Sequence, residues 1–307
     1  MQLFARKVNN YDLYANHAWY TPGVKGMFGL FGWFLVGNLL GALVTSILLL
    51  FVPQEVVMKY DMVVAYPLSF LPAMIYAASK SQRNSLFETG YKLNSNHFGP
   101  FKGWELALIT VVLTYSFMFA TDYVNYLNFK VTTSTPGMKR FYDIMMEAMK
   151  QMMTGPFWSS FLVTAIFAPV FEEWLCRGMV LRGLLTKMKP AWAIVISALF
   201  FAVLHMNPWQ ALNAFLIGLV MGYIYYKTGS LWLTMLIHFV NNGTSVVVAQ
   251  LSSVEESSYF YEMMSQPTYG IVSVVAIVAL VACLYAFKRI PVEQEHGNMD
   301  TVELKVD

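Results

Sequence analysis

The sequence predicts an all-α fold: a polytopic membrane bundle of about eight transmembrane helices, with one additional interfacial amphipathic helix. Composition is the first reason, because 57% of the 307 residues are hydrophobic and only 12% are charged. Soluble domains contain about 45–50% apolar and 25% charged residues. The second reason is that the apolar residues form blocks of roughly twenty, the length that a helix needs to cross a bilayer core of about 30 Å.

The apolar blocks predict eight spans, at residues 27–52, 61–79, 104–124, 157–185, 190–206, 209–227, 231–250 and 269–288. They divide the chain into an N-terminal cytoplasmic segment (1–26), N-terminal membrane helices with the interfacial helix (27–156), core helices (157–250), and a last helix with a polar tail (251–307). An even number of spans places both termini on one side. The distribution of Lys and Arg predicts that this side is the cytoplasmic face of the cell membrane.

The segment before the fourth span predicts the amphipathic helix, from Met138 to Met153. Its apolar face contains Met138, Phe141, Met145, Ala148, Met149 and Met152, whereas its charged residues fall largely elsewhere. Such a helix lies at the membrane surface as a connector. The alternative is that the Met-rich face is an adaptable contact for a substrate or a lid.

Small residues recur every four positions in two spans, at Gly37 and Gly41 and at Ala214, Gly218 and Gly222. This spacing predicts close packing of helix backbones in lipid rather than chemistry.

The net charge of +2, without a basic run, excludes nucleic acid as a predicted partner. Cys176 and Cys283 lie in apolar blocks and are predicted to be buried thiols rather than a disulfide pair.

Three ionisable residues, Glu172, Glu173 and Arg177, stand within two turns of the fourth span. Without partners they would cost on the order of 8–10 kcal/mol in the membrane, so pairing or function is expected. Glu173 and Arg177 are four positions apart in the favoured order for an ion pair. Glu172 points about 100° away and needs another partner. The alternative is that all three form one buried network that holds the bundle together.

His205 is the candidate partner of Glu172. The fourth and fifth spans form an antiparallel hairpin whose centre is predicted near residues 188–189, so Glu172 and His205 are expected at the same depth. A carboxylate and an imidazole that are shielded from bulk water can hold and deprotonate a water molecule. The alternative is that His205 is a satisfied interfacial residue.

His238 and Asn242 share one face of the seventh span and can donate hydrogen bonds to an oxyanion. The alternative is that they bond across helices as structural contacts. Counting helical rise places His238 roughly 10 Å closer to the inner face than His205. Tilt or a broken helix must therefore bring the two together if both serve one site.

Glu172-Glu173-x-x-x-Arg177, Phe201-x-x-x-His205 and His238-x-x-x-Asn242, in this order on three spans, resemble the intramembrane glutamic endopeptidases of the CAAX-protease and bacteriocin-processing (Abi) family. The matching stretch runs from about Ala168 to Gly243. Cys176 departs from the family pattern, in which an aromatic residue is commoner at this position.

This resemblance implies an intramembrane endopeptidase that hydrolyses a peptide bond with an activated water. It implies that Glu172 is the general base and that His205 helps to hold the water. His238 and Asn242 would stabilise the oxyanion, and Glu173 and Arg177 would orient the site. No cofactor or metal is expected. The implied substrate is a peptide or a membrane-anchored protein, and whether it is prenylated stays open, as does the oligomeric state.

Three alternatives remain at this point. Glu172, His205 and His238 could form an open zinc site with a water as the fourth ligand. The protein could be a non-catalytic immunity or scaffold protein of the same fold. It could also be a transporter in which Glu172 and His205 relay protons, although it lacks the paired interrupted helices of inverted repeats. The chain contains no His-Glu-x-x-His, Gly-x-Ser-Gly or Gly-x-Gly-Asp motif.

Overall fold

The computed structural model describes residues 20–81, 98–132, 134–251 and 266–292, and within these ranges every regular element is a helix. The helices are α1 (Val24–Leu48), α2 (Gln54–Ser79), α3 (Gly103–Thr132), α4 (Pro136–Thr154), α5 (Phe157–Leu185), α6 (Pro190–Leu204), α7 (Pro208–Thr228), α8 (Leu231–Leu251) and α9 (Pro267–Lys288). The predicted all-α membrane bundle is confirmed. All eight predicted spans coincide with helices, and α4 coincides with the predicted amphipathic helix.

Six of these helices are long and apolar enough to cross a membrane: α1, α2, α3, α5, α8 and α9. The predicted spans at 190–206 and 209–227 differ from this pattern. Helix α6 is apolar but has only 15 residues, which corresponds to about 22 Å. Helix α7 is longer but carries Gln210 and Asn213, which line an internal cavity. The number of eight is therefore approximate, and the protein is a multi-pass membrane protein.

Helix α5 lies at the centre of the bundle and is the most buried of the six long apolar helices. Helix α8 packs against α5 and α3, α6 packs against α7, and α9 packs against α3. Helices α1 and α2 form a closely packed pair that also contacts α5. The charged motif of α5 is thus enclosed on several sides by other helices.

The small residues lie at helix contacts, as predicted. A Cβ atom added to Gly37 would stand 2.1 Å from the Ser69 carbonyl oxygen of α2. Cβ atoms added to Gly218 and Gly222 would meet Ala198 at 3.1 Å and Ile194 at 3.0 Å, both on α6. Glycine therefore allows the α1–α2 and α6–α7 backbones to approach closely.

Two π-helical segments interrupt α5, at Leu162–Phe167 and Trp174–Leu181. The first precedes Pro169, which has no N–H to donate and clashes with the preceding turn of a regular α-helix. In the π segment the N–H of Ala168 reaches the Val163 carbonyl, five residues back. In the same pattern the donor to the Thr164 carbonyl would be the backbone N–H of residue 169. Residue 169 is proline and has no N–H. The wider turn accommodates the proline but leaves Thr164 without a main-chain donor.

Helix α4 is amphipathic, as predicted. Met138 and Phe141 are exposed, and Lys139 forms an ion pair with Asp143 at 2.8 Å. The side chains of Ala148, Met149 and Met152 lie outside the described part of the structure. The same holds for most of the N-terminal segment 1–26 and of the polar tail. The position of α4 at the membrane surface remains a prediction.

The two cysteines are free thiols, as predicted. Cys176 is buried in α5, and Cys283 is partly buried in α9.

Candidate functional site

The predicted site residues surround one cavity of about 870 Å³ inside the bundle. Helices α1, α2, α3, α5, α6, α7 and α8 all contribute to its wall. Glu172, His205, His238 and Asn242 line it directly. Glu173 and Arg177 are fully buried behind this wall. The structure therefore brings together the residues that the sequence placed on three separate spans.

Glu173 and Arg177 form the predicted ion pair. Arg177 Nη1 donates to Glu173 Oε1 at 2.7 Å, and neither side chain is exposed. The guanidinium also donates through Nη2 to the Gly218 carbonyl at 3.1 Å and lies 4.5 Å from the centre of the Phe201 ring. Arg177 thus links α5 to α6 and α7. Because both charges are desolvated, the pair can persist only with these additional partners.

Glu172 faces the cavity, away from Glu173, as helical geometry predicted. One carboxylate oxygen, Oε1, accepts a hydrogen bond from the hydroxyl of Tyr66 on α2. The other, Oε2, is buried without a hydrogen-bond partner among the described protein groups and stands 3.9 Å from His238 Nε2. That distance exceeds a direct hydrogen bond. A water molecule bound beside this gap would be able to form hydrogen bonds with both atoms.

His238 lies between the two glutamates and is nearly buried. Its Nδ1 is 3.1 Å from Glu173 Oε1, and its Nε2 faces Glu172. An ionised carboxylate only accepts hydrogen bonds, so the proton of this contact resides on Nδ1. The neutral imidazole then presents the Nε2 lone pair to the cavity, whereas the imidazolium presents a donor there. Glu173 thereby sets both the orientation and the tautomer of His238.

His205 caps the C-terminus of α6 and is held there by its own helix. Its Nδ1 contacts the Phe201 carbonyl at 2.8 Å, and because a carbonyl only accepts, Nδ1 carries the proton. Nε2 is then free to accept a hydrogen bond in the cavity. The next residue, Met206, has a φ of 47°, a left-handed conformation that is uncommon for a residue other than glycine. It ends α6 immediately after the histidine.

Phe201 is a shared contact of the two histidines. The rings of His205 and His238 both pack edge-on against it, with centroid distances of 4.8 Å and 5.6 Å. Phe201 lies one turn before His205 on the same helix. His238 contacts the Phe201 ring from α8. An estimate of depth from helical rise could not predict that both histidines contact the same aromatic ring.

The hairpin of α5 and α6 is antiparallel, but its register differs from the predicted centre near 188–189. Ser197 donates to the Cys176 carbonyl at 3.0 Å, and this contact is centred between residues 186 and 187. Phe201 is therefore level with Glu172, and His205 lies about one turn further along. The π-helical segment Trp174–Leu181 explains part of the shift, because each wide turn takes up an extra residue.

Asn242 lines the cavity and also supports the backbone of α5. Its Nδ2 donates at 2.9 Å to the Thr164 carbonyl, the group that Pro169 leaves without a main-chain donor. Its Oδ1 accepts from Asn241 at 3.0 Å. One N–H of the amide is thus engaged with α5, and the second is available for the cavity. The cross-helix contact considered from sequence is present, and the predicted oxyanion contact would use the remaining hydrogen.

Tyr66 and the Gly218 carbonyl are the site groups that sequence reasoning missed. Tyr66 lies on α2, a span without any recognised motif, and the only local signal is the adjacent Pro67 within the helix. For Gly218 the sequence predicts only close helix packing. Both contacts join distant parts of the chain, so sequence spacing carried no information about them.

The zinc site considered from sequence has no preformed set of ligands in the described part of the chain. Among the described residues, no group of three or more His, Cys, Asp or Glu side chains converges closely enough to hold a metal ion.

Comparison with known proteins agrees with the location of this site. Residues 154–244 match the family described as type II CAAX prenyl endopeptidase Rce1-like. A stretch of 93 residues is 28% identical to YdiL of Bacillus subtilis (strain 168), which its name describes as a candidate membrane peptidase. That alignment covers 30% of this chain and 38% of the relative. No solved structure matches the chain significantly.

The resemblance found in the sequence is thus confirmed. The matched segment runs from the end of α4 into α8 and contains all six predicted site residues. Over this segment the chain is similar to membrane proteases of the CAAX type.

Proposed function

We propose that the protein is an intramembrane glutamic endopeptidase in which Glu172 activates a water molecule for hydrolysis of a peptide bond. The observation that carries this proposal is the arrangement of Glu172. One of its oxygens is held by Tyr66, and the other faces His238 across a 3.9 Å gap in a cavity of about 870 Å³. A cavity of this volume is of the size that binds substrates.

The chemistry begins with transfer of a proton from the water to Glu172 Oε2. The hydroxide formed adds to the substrate carbonyl carbon, whose oxygen becomes an oxyanion. Glu172 then returns the proton to the amide nitrogen, the C–N bond breaks, and a carboxylic acid and an amine leave. Water and peptide are thus converted into two products without a covalent enzyme intermediate. His205 Nε2, as a hydrogen-bond acceptor, helps to orient the water.

The remaining polar groups support the oxyanion and the base. The free N–H of Asn242 and, in its protonated form, His238 Nε2 are the available donors toward the oxyanion. Glu173 keeps His238 oriented through Nδ1, and Arg177 neutralises Glu173. Because Arg177 is fully buried, its role is positioning rather than contact with substrate.

The proposed substrate is a peptide or membrane-anchored protein, cleaved within the cell membrane by an enzyme with both termini on the cytoplasmic side. Labelling of single cysteines introduced before α1 and after α9 tests the orientation. Labelling of intact cells by a membrane-impermeant reagent would contradict it.

The deciding experiment compares peptides released by cells that express the wild type with those released by Glu172→Gln. Glu55→Gln is the matched control, because it makes the same chemical change on an exposed part of α2. Products that disappear only with Glu172→Gln support the protease and identify its substrate. Identical peptide profiles for all three proteins, at equal expression, would refute the protease and favour the scaffold function.

The zinc alternative is tested on the same products. We expect the purified enzyme to retain its activity after treatment with a strong chelator. Loss of activity that zinc alone restores would replace the glutamic mechanism with metal catalysis.

A further inference from the structure

Tyr66 connects the N-terminal half of the chain to the proposed general base. It lies on α2, outside the segment 154–244 that matches the protease family. Its hydroxyl donates to Glu172 Oε1 across 106 positions of sequence. Tyr66 and Glu172 both line the cavity. A role in the site therefore rests on geometry rather than on the family resemblance.

The Tyr66 ring is held by an aromatic stack that ends beside Glu172. It packs on Phe70 with a centroid distance of 5.5 Å, and Phe70 stacks on Phe171, again at 5.5 Å. Phe171 is the residue directly before Glu172. The rings thus fix the hydroxyl relative to the carboxylate, and replacement of Tyr66 by phenylalanine preserves this packing while removing only the oxygen.

The hydroxyl makes the two oxygens of Glu172 unequal. Oε1 is occupied by Tyr66, and Oε2 is left facing His238 Nε2. The terminal torsion of a glutamate side chain has a broad, roughly two-fold profile, so the carboxylate has no strong orientation of its own. A single donor on one oxygen selects the orientation in which the other oxygen points to the water position.

We propose that Tyr66 is a positioning residue that holds the Glu172 carboxylate in its reactive orientation. This inference rests on the proposed function of Glu172 as the base. Helix α2 then contributes directly to the site, so the N-terminal helices are part of the catalytic unit and not only its membrane support.

The first test is the kinetics of Tyr66→Phe on a peptide that spans the cleavage site, which the products abolished by Glu172→Gln identify. We expect kcat to fall about 10- to 100-fold with KM unchanged, because substrate contacts remain while the base is misplaced. The thermal midpoint should fall only slightly, because Glu172 Oε1 loses one donor, and the kinetics are measured well below it. Tyr76→Phe is the control, since it removes a hydroxyl from the same helix at a ring that packs on Tyr20 and Trp33.

The kinetic outcomes separate the inference from the proposed function. Loss of products with Glu172→Gln, together with wild-type kcat in Tyr66→Phe, would overturn the role of Tyr66 and leave the protease intact. A raised KM at unchanged kcat would also overturn it, because Tyr66 would then contact the substrate. Unchanged products with Glu172→Gln would instead overturn the protease itself.

A second test does not depend on activity. The infrared carboxylate bands of Glu172 are isolated as the difference between the wild type and Glu172→Gln. The same difference is then recorded in the Tyr66→Phe background. We expect the bands to shift when the phenolic donor is removed, and identical difference spectra would refute the hydrogen bond.

Discussion

The fully buried pair of Glu173 and Arg177 makes the sharpest energetic prediction. Replacing Glu173 by glutamine leaves Arg177 charged and without its counter-ion in a site with no exposure. Removing one partner of a buried pair costs about 3–5 kcal/mol, because the remaining charge is desolvated and uncompensated. We expect losses of this size for Glu173→Gln and for Arg177→Met, each measured alone.

The double variant Glu173→Gln/Arg177→Met removes both charges. Glutamine can still accept the hydrogen bond from His238, and methionine fills much of the space of the arginine stem. The Gly218 carbonyl loses its side-chain donor, and a loss of this kind costs about 1–3 kcal/mol. We therefore expect the double variant to be more stable than either single variant. Its activity should be reduced, because a neutral glutamine holds the Nδ1–H of His238 less firmly than a carboxylate does.

The assay is the free energy of unfolding in mixed micelles for the wild type, both single variants and the double variant. Glu55→Gln is the control, because Glu55 and Lys59 have the same i,i+4 spacing but are exposed. Its unfolding free energy should match the wild type within error. Additive losses in the double variant would show that the two charges do not interact across the buried site, and would refute the reasoning.

Three further predictions concern packing, backbone support and substrate charge. Gly37→Ala should destabilise the fold, because its Cβ would overlap a carbonyl of α2, whereas Gly32→Ala, with nothing within 4 Å, should not; thermal unfolding of the pair decides. Asn242→Ala should lower kcat about 10²–10³-fold and also destabilise, because the Thr164 carbonyl loses its donor; an unchanged thermal midpoint would contradict the structural part. Peptides ending in a carboxamide should be cleaved with a higher kcat/KM than the free acids, because the described cavity lining contains two carboxylates and no Lys or Arg; a preference for free acids would refute this.

Much of the fold and of the site could be predicted from the sequence because the information was local. Blocks of apolar residues located the helices, since a bilayer imposes helix length directly. The Glu173–Arg177 pair followed from i,i+4 spacing, and the different direction of Glu172 followed from the 100° rotation per residue. The relative directions of side chains on one helix follow from the helical rotation per residue. These predictions therefore needed no knowledge of the neighbouring helices.

The tertiary structure alone decided which groups meet across helices. Tyr66 reaches Glu172 because α2 packs against α5, and the amide of Asn242 reaches Thr164 because Pro169 widens a turn. The π-helical segment Trp174–Leu181 contributed to the register of the hairpin, and the rings of His205 and His238 both pack against Phe201. Such contacts depend on helix rotation, register and side-chain packing over long distances. The sequence pattern identified the candidate site residues, and only their packing determined their partners.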